Sequence, residues 1–242
     1  MNRRAATPLI GWSIAIVLMV VGCALGSWQL RRMHQKEAML ASVATVLRDR
    51  TPQTLTVAAD ESRALSYDWV AGKGHFLPQP AWLLDNQQRE GRPGVRVFRL
   101  FQPDTATLPL LVEMGWLPVS AARALPVVGP APSGNIELRG LLLPPPSGGL
   151  LSGAETQTPD GQHLVIALDP ATIAARSHVA RIAPRVLRLD PDLPLGHMRD
   201  LDVLPNTLPP ERHLGYAVQW FALAAAVLIT AVLLTLRHRR RP

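Results

Sequence analysis

The chain has 242 residues, of which 48% are hydrophobic and 18% charged, a composition that excludes an intrinsically disordered protein. Its single cysteine excludes an intramolecular disulfide framework and a CxxC site within the chain. The formal net charge is +7, but the stretch from Trp28 to Arg212 holds 19 basic residues and all 18 acidic ones. Because the surplus lies at the two ends of the chain, we predict no nucleic-acid partner.

The first predicted element is a membrane-spanning helix. No residue from Ala5 to Leu30 is charged, and a helix of about 20 apolar residues crosses the hydrocarbon core of a bilayer. We predict a cytoplasmic tail over residues 1–8 and a transmembrane helix over residues 9–29.

Cys23 raises two alternatives for this segment. The preceding Val-Val-Gly resembles a lipoprotein cleavage box, which would make Cys23 a lipidated amino terminus, and an ordinary signal peptide also begins with a basic and an apolar stretch. The apolar run continues past Cys23 to Trp28 without a flexible linker. This favours an uncleaved helix in which Cys23 is a packed small residue.

A helical extension follows the first span. Apolar residues recur at spacings near three, four and seven, which indicates one apolar stripe on a helix. We expect the helix to end near Arg48, before Thr51-Pro52. The predicted amphipathic extension covers residues 30–50 and lies against the next domain or the membrane surface. Its stripe consists of Leu30, Met33, Leu40, Ala44 and Leu47.

Residues 51–192 are predicted to form a single, mostly antiparallel β domain. Gly and Pro clusters separate the candidate strands, a hairpin with an irregular loop is expected around 89–94, and residues 144–149 form a loop. Asp169-Pro170 begins a short helix that ends near Arg176, because proline suits a first helical turn. The candidate strands are Tyr67–Leu77, Ala81–Gln88, Val95–Gln102, Leu108–Val119, Ile136–Leu143, His163–Leu168 and Arg185–Leu189.

The end of the chain is predicted to hold a linker (193–212), a second transmembrane helix (213–236) and a basic cytoplasmic tail (237–242). Arg and Lys in short flanking segments stay on the cytoplasmic side, so both termini are expected inside and the β domain outside, in a periplasm. The predicted fold class is a membrane-anchored α+β protein, with two transmembrane helices flanking one mostly antiparallel β domain.

Motifs of common catalytic sites are absent from the sequence. There is no GxSxG, HExxH, P-loop or GxGxxG, and the acidic residues form no obvious pair. We therefore expect a protein that is not an enzyme. His197-Met198 offers ligand types that suit copper, but no spacing fixes a copper site.

His213 is the histidine with the most informative position. It precedes an uncharged run and follows Pro209-Pro210, so it is expected in the first turns of a helix. Tyr216 and Trp220 lie three and seven residues on, and the small Ala217 would leave space for a flat ligand. One interpretation is a neutral imidazole that ligates haem iron. The other is an interfacial aromatic belt at the end of a span.

The first span ends with a similar group of residues, Trp28, Gln29, Arg31 and Arg32. In the predicted topology this end and the His213 end lie at the same outer face of the membrane. The arginines, with Arg212, could pair with the carboxylates of haem propionates. Their alternative role is to reach the phosphate headgroups of lipids.

Four segments, taken in order, resemble the signatures of the surfeit locus protein 1 family of cytochrome c oxidase assembly factors. They are LGSWQLRRMHQK (25–36), LLDNQQREGRPGVRV (83–97), LLVEMGWLP (110–118) and ERHLGYAVQWFALA (211–224). The similarity covers nearly the whole chain. Two positions depart from the family pattern, because Met114 stands where an arginine is usual and Val95 where an aromatic residue is usual.

The resemblance implies an integral membrane protein that assists maturation of the haem a-containing subunit of the oxidase, rather than a catalyst. The short amino-terminal tail has no transit-peptide character, which favours a bacterial inner membrane over a mitochondrial one. The partners of the protein would be the catalytic subunit of the oxidase, other assembly factors and the lipid bilayer. The resemblance further implies that the protein holds haem a, with His213 as axial ligand, and favours this role over the aromatic belt alone. Trp28, Gln29, Tyr216, Gln219 and Trp220 match motif positions that have no assigned role. The alternative is a membrane-anchored scaffold that contacts oxidase subunits without binding haem.

Overall fold

The computed structural model describes residues 3–120, 124–146, 155–204 and 208–239. These residues form two compact units, one within Met1–Ala41 and Thr207–Pro242 (the helical unit) and one within Ser42–Asn206 (the sheet unit). The elements in chain order are α1 (Arg3–Asp49), β1 (Gln53–Thr54), two 3-10 helices (Leu55–Ala59 and Glu61–Arg63), β2 (Asp68–Phe76), β3 (Trp82–Arg89), β4 (Arg92–Pro103), β5 (Leu110–Pro118), β6 (Ile136–Leu143), β7 (Glu155–Gln157), β8 (His163–Val165), α2 (Pro170–Arg176), β9 (Val186–Leu189) and α3 (Pro210–Arg239).

In the helical unit, α1 and α3 pack against each other in opposite directions. Trp12 Nε1 donates a hydrogen bond of 3.0 Å to Thr235 Oγ1 near one end of the pair. Further along, a Cβ on Gly22 would lie 3.1 Å from the Cβ of Ala224, and a Cβ on Gly26 would lie 2.8 Å from the Phe221 ring. Glycine at these two positions therefore allows a close approach of the helices.

Both helices are long and apolar enough to cross a membrane. The most apolar stretches of the two helices are only 17% and 11% buried. A core helix of a soluble protein buries its apolar surface, whereas here the apolar side chains face outward. Length, composition and exposure therefore agree with the two predicted spans.

The sheet unit is built on a ring of five strands in the order β2-β6-β9-β5-β4. The ring closes because Gly74–Phe76 of β2 pairs with Phe101–Pro103 of β4. β1 pairs with β2, and the strands β3, β8 and β7 extend the sheet beyond β4. Alternate residues of the strands enter different apolar clusters. For example, Leu110 and Val112 belong to one cluster and Leu111 to another.

The sheet is mixed, which corrects the predicted mostly antiparallel β domain. Of the nine strand pairings among the described residues, β1–β2, β3–β8 and β5–β9 are parallel. The parallel partner of β5 is β9, and the intervening chain carries β6, β7, β8 and α2. Such a crossover is what a parallel pair requires. The expectation was wrong because apolar alternation gives the faces of a strand but not its direction.

Each of the seven candidate strands coincides with a strand of the structure, and α2 has the predicted bounds. The hairpin is also confirmed, but its loop is regular. Arg89 pairs with Arg92, and the two central residues have positive φ, 52° at Glu90 and 75° at Gly91. Positive φ at both positions defines the tight turn that suits the twist of a hairpin. Of the predicted loop 144–149, residues 147–149 lie outside the described residues.

The end of α1 lies against the sheet unit. Val43, Val46 and Leu47 pack with Trp69 and Leu141. The next residue after the helix, Arg50, has its guanidinium 4.8 Å from the centroid of the Trp69 ring and 3.9 Å from Asp190. The predicted amphipathic helix therefore exists to Asp49, and its last turns contact the domain.

The segment 193–204 has neither helix nor regular strand, yet it is packed on the sheet. Leu193 and Leu195 contact the larger apolar cluster, and the Trp116 N–H donates to the Met198 carbonyl over 2.7 Å. Arg199 donates to several carbonyls of the same segment, among them that of His197 at 3.0 Å. These bonds hold the segment to the sheet unit.

Candidate functional site

The candidate site lies in the helical unit, where α3 begins. Pro210 opens α3, and proline at this position fits a first helical turn because its missing N–H would have no partner there. Three residues of α3 are buried: the exposed fractions are 6% for His213, 1% for Ala217 and 7% for Ala224. Their spacing of four and seven residues places them on one face of the helix. His213 is therefore on the buried face of α3.

A hydrogen bond connects His213 with α1. His213 Nδ1 lies 2.7 Å from Gln29 Oε1. The amide oxygen can only accept, so Nδ1 carries the proton and donates it. The other nitrogen, Nε2, is buried and has no hydrogen-bond partner among the described residues. The imidazole is thus held as the tautomer whose Nε2 lone pair is available to a metal.

Basic side chains surround this end of the helical unit. Lys36 Nζ donates to the carbonyl of Leu208, and Arg32 Nη1 donates to Gln35 Oε1 over 3.3 Å. Arg31 and Arg212 are exposed. Within the described part of the chain, none of these four cations has a carboxylate at ion-pair distance. The cluster can therefore receive an anionic group from outside the chain.

The aromatic residues of the predicted site are more exposed than His213. Trp28 is 50% exposed and Tyr216 is 40% exposed, while Trp220 is partly buried and Gln219 is exposed. Ala217 is buried, with 1% of its surface exposed. The structure therefore brings His213 and Gln29 together and leaves the other named side chains around them on the surface of the helix pair.

Lys36 was missed by the sequence analysis. It lies seven residues after Gln29 on α1, so the two side chains share one face of that helix. This spacing, together with the position of Lys36 just beyond the apolar run, could have indicated that it lies near the candidate site.

The sheet unit contains a buried group of charges that the sequence analysis also missed. Glu113 on β5 accepts from Arg96 Nη1 over 2.8 Å and from Arg188 Nε over 3.0 Å. All three residues are at most 9% exposed. Burial lowers the pKa of the Arg96 guanidinium, while the nearby Glu113 carboxylate opposes this shift. The arrangement is a doubly hydrogen-bonded ion network that joins β4, β5 and β9.

The described residues of the sheet unit offer no cluster of metal ligands. No group of three or more His, Cys, Asp or Glu side chains that could hold a metal ion occurs among the described residues. Burial lowers the pKa of His197, and the positive charges of Arg99 and Arg199 lower it further. Its neighbour Met198 is 59% exposed. A copper site at this pair has no support from further ligands there.

The two departures from the family pattern are interior positions. Val95 is fully buried and Met114 is 3% exposed, and both belong to the larger apolar cluster. Apolar side chains fit such an environment. These residues therefore contribute to the core rather than to an exposed contact surface.

The chain is similar to one known protein family over most of its length. A family model described as the SURF1 family matches residues 16–225, which include both Gln29 and His213. The chain belongs to the SURF1 family. The resemblance inferred from the four sequence segments is thereby confirmed.

Two relatives of this SURF1 family member are informative. Cytochrome oxidase assembly protein SHY1 of Saccharomyces cerevisiae is 25% identical over 117 residues, which are 48% of this chain and 30% of the yeast protein. The match thus spans less than a third of the yeast protein. A SURF1-like protein of Monosiga brevicollis is 25% identical over 234 residues, which are 89% of this chain and 84% of the relative.

Proposed function

We propose that this SURF1 family member is a membrane-anchored assembly factor for haem–copper cytochrome c oxidase that binds haem a at His213. The observation that carries the proposal is the buried Nε2 of His213, which has no partner among the described residues while Nδ1 is bonded to Gln29. A role in oxidase assembly is supported by membership in the family and by the similarity to the yeast cytochrome oxidase assembly protein SHY1.

The proposed location is a bacterial inner membrane. α1 and α3 are apolar over a length that spans a bilayer. Because the two helices are antiparallel, they would place both chain ends on one side. The basic residues from Arg237 to Arg241, at the end of α3 and directly after it, favour the cytoplasm for that side. The sheet unit and His213 would then lie at the periplasmic side.

The residues at the site suit haem. Nε2 of His213 would hold the haem iron, with Gln29 fixing the ring through Nδ1. Arg31, Arg32 and Arg212 would hold the propionates by charge-assisted hydrogen bonds. The bound iron porphyrin supplies the redox centre of the oxidase, and this chain would cover it before its insertion. Trp28, Tyr216, Gln219 and Trp220 would flank the ring.

The burial of Nε2 has a consequence for binding. Because Nε2 is buried, haem would reach this atom only if the side chains around His213 move aside while the bond to Gln29 is kept. The chain would then bind and release its cargo through movement at this end of the helix pair. Such a role needs no catalysis, in line with a protein that is not an enzyme.

A second candidate function is a scaffold that contacts oxidase subunits without haem. It is favoured by the burial of Ala217 and of Nε2 of His213 in this structure. A scaffold would co-purify with oxidase subunits even in cells in which haem a synthesis is blocked. A haem carrier would lose its haem spectrum under the same condition.

The test uses the full-length protein purified from cells that make haem a. We expect a haem a absorption spectrum in the wild type and its loss in His213→Ala. The matched control is His34→Ala, because His34 is also near this end of α1 but is 69% exposed at its side chain. Absence of haem from the wild type, or an unchanged spectrum in His213→Ala, would overturn the ligand assignment.

A further inference from the structure

A groove runs along the helical unit, away from His213. It has a volume of about 360 Å³ and lies between Gly11–Leu18 of α1 and Leu223–Leu234 of α3. None of its lining residues is charged. At the groove, a Cβ on Gly11 would meet nothing within 4 Å, whereas a Cβ on Gly22 or Gly26 would crowd α3. Gly22 and Gly26 are thus explained by helix packing, and Gly11 borders open space.

The groove lies along the same flank of α3 as Tyr216, a residue of the proposed haem site. Leu223 and Leu234 lie seven and eighteen residues after Tyr216. Seven residues are about two helical turns and eighteen are five turns, so the three side chains lie along one flank of the helix. The flank of α3 that carries Tyr216, three residues after His213, therefore also carries part of the wall of the groove.

On α1, the groove likewise lies on the helix face that carries Gln29. Leu18 and Gly11 lie eleven and eighteen residues before Gln29, which corresponds to about three and five turns. Leu223 is ten residues from His213, about 15 Å along the helix axis. That distance is of the order of an extended farnesyl chain. The near end of the groove, formed by Leu18 and Leu223, is thus within reach of a group that hangs from a porphyrin at His213.

We propose that the groove receives the farnesyl chain of haem a. This inference rests on the proposed function, because it assumes that His213 binds the porphyrin. Haem a and haem o both carry a hydroxyethylfarnesyl group, whereas haem b has a vinyl group at that position. An uncharged groove at membrane depth accepts an isoprenoid and excludes charged groups. The groove would therefore favour haem a and haem o over haem b, because haem b has no chain long enough to occupy it.

The groove would increase the affinity for haem a through packing contacts with the farnesyl chain. Lipid tails are as apolar as the groove, so its walls add van der Waals contact rather than a hydrophobic driving force. We expect the groove to raise the affinity for haem a by about fivefold, which corresponds to roughly ten additional carbon–carbon contacts. The ratio of the affinities for haem a and haem b tests the proposal. Both affinities are measured in the same lipid nanodiscs, so effects common to the two haems cancel in the ratio.

Two variants fill the near end of the groove, and each has a matched control. Ala226→Phe is paired with Ala225→Phe, whose site is exposed on the same helix but does not line the groove. Leu18→Trp is paired with Val17→Trp, since the two residues are 50% and 60% exposed and only Leu18 lines the groove. Affinities for haem a, haem o and haem b are measured by absorbance titration of the full-length protein.

We expect Ala226→Phe and Leu18→Trp to weaken the binding of haem a and haem o about fivefold and to leave haem b unchanged. The control variants should bind all three haems as the wild type does. If Ala226→Phe and Leu18→Trp lost affinity equally for the three haems, or lost none, the groove would not bind the farnesyl chain. The assignment of His213 as ligand would stand in either case. If the wild type binds no haem, the proposed function itself fails.

Discussion

Gln29 and His213 stand 184 residues apart in the chain and share a hydrogen bond of 2.7 Å. The bond joins the two long helices and leaves the lone pair of His213 on Nε2. Metal-binding histidines generally have such a partner, and its removal weakens metal binding by about 10- to 100-fold. The two residues thus form one functional unit in the proposed haem site.

Gln29→Leu is expected to weaken haem a binding about tenfold, because the Nδ1–H of His213 loses its acceptor and the ring loses its orientation. Gln29→Glu keeps an acceptor and should bind within a few-fold of the wild type. Absorbance titration of the purified full-length protein measures both. Gln35→Leu is the matched control, because Gln35 lies on the same helix in an exposed hydrogen bond. Unchanged affinity in Gln29→Leu would show that the hydrogen bond does not orient the ligand.

Glu113→Gln is expected to destabilise the sheet unit by about 3–5 kcal/mol. The change leaves Arg96 and Arg188 without their buried counter-charge, and unpaired buried charges have this order of cost. Thermal unfolding of the full-length protein in detergent, followed by circular dichroism in the β region, measures the loss. An effect below about 1 kcal/mol would mean that water reaches the network.

Glu61→Gln is the control for this substitution. Glu61 pairs with Arg181 on the surface, and the two side chains are 70% and 65% exposed. Exposed pairs contribute below about 1 kcal/mol because water screens them. The two Glu→Gln variants therefore compare the same chemical change in buried and exposed surroundings.

Trp69→Ala is expected to release the end of α1 from the sheet unit. Trp69 is 5% exposed, packs with Val43, Val46 and Leu47, and lies under the guanidinium of Arg50. Removing a buried tryptophan costs about 3–5 kcal/mol. Hydrogen exchange should become faster in residues 42–50. The neighbouring Leu65→Ala, at a residue that is 84% exposed, should leave exchange there unchanged, and an equal rise in both variants would contradict this role of Trp69.

Asp169 should contribute to stability in a pH-dependent way. Its carboxylate accepts from the hydroxyl and N–H of Thr172 at the start of α2, which hold its pKa below the ordinary value of 3.8. The folded state therefore binds the proton more weakly than the unfolded state does. The stabilisation is complete well above pH 3.8 and is lost as the pH falls through the lower folded pKa.

The comparison with Asp169→Asn isolates this effect, because asparagine also caps a helix but does not titrate in this range. The melting temperature of the wild type relative to Asp169→Asn should decrease on acidification from pH 6 to about pH 2.5. A difference that stays constant over that interval would show that the carboxylate charge does not contribute.

Apolar runs bounded by Gly and Pro clusters were sufficient to find the seven strands, although β4, β5 and β9 are buried on both faces and show little alternation. The parallel pairing of β5 with β9 was not predictable in this way, because direction leaves no mark on alternation. β1 and β7 were missed because two and three residues are too short to show a period. Each of these gaps concerns information that local sequence does not hold.

At the candidate site, the sequence indicated His213 but placed Tyr216 on the same face. A spacing of three residues rotates a side chain by about 60° from the first. Here that rotation separates the buried His213 from Tyr216, which is 40% exposed. The partnership with Gln29 depends on the register of two distant helices. No spacing within either helix could have revealed it.

The ring of strands is completed only by β9, which ends at Leu189. During synthesis, β5 and β6 must wait for this last strand before either gains its second neighbour. In the proposed topology the domain would therefore leave the translocon as an unfolded chain and close its sheet only when α3 is about to be made. Long-range pairing of this kind is slow and exposes unpaired strand edges. Newly exported chains would thus depend on periplasmic holding chaperones during the interval before β9 arrives.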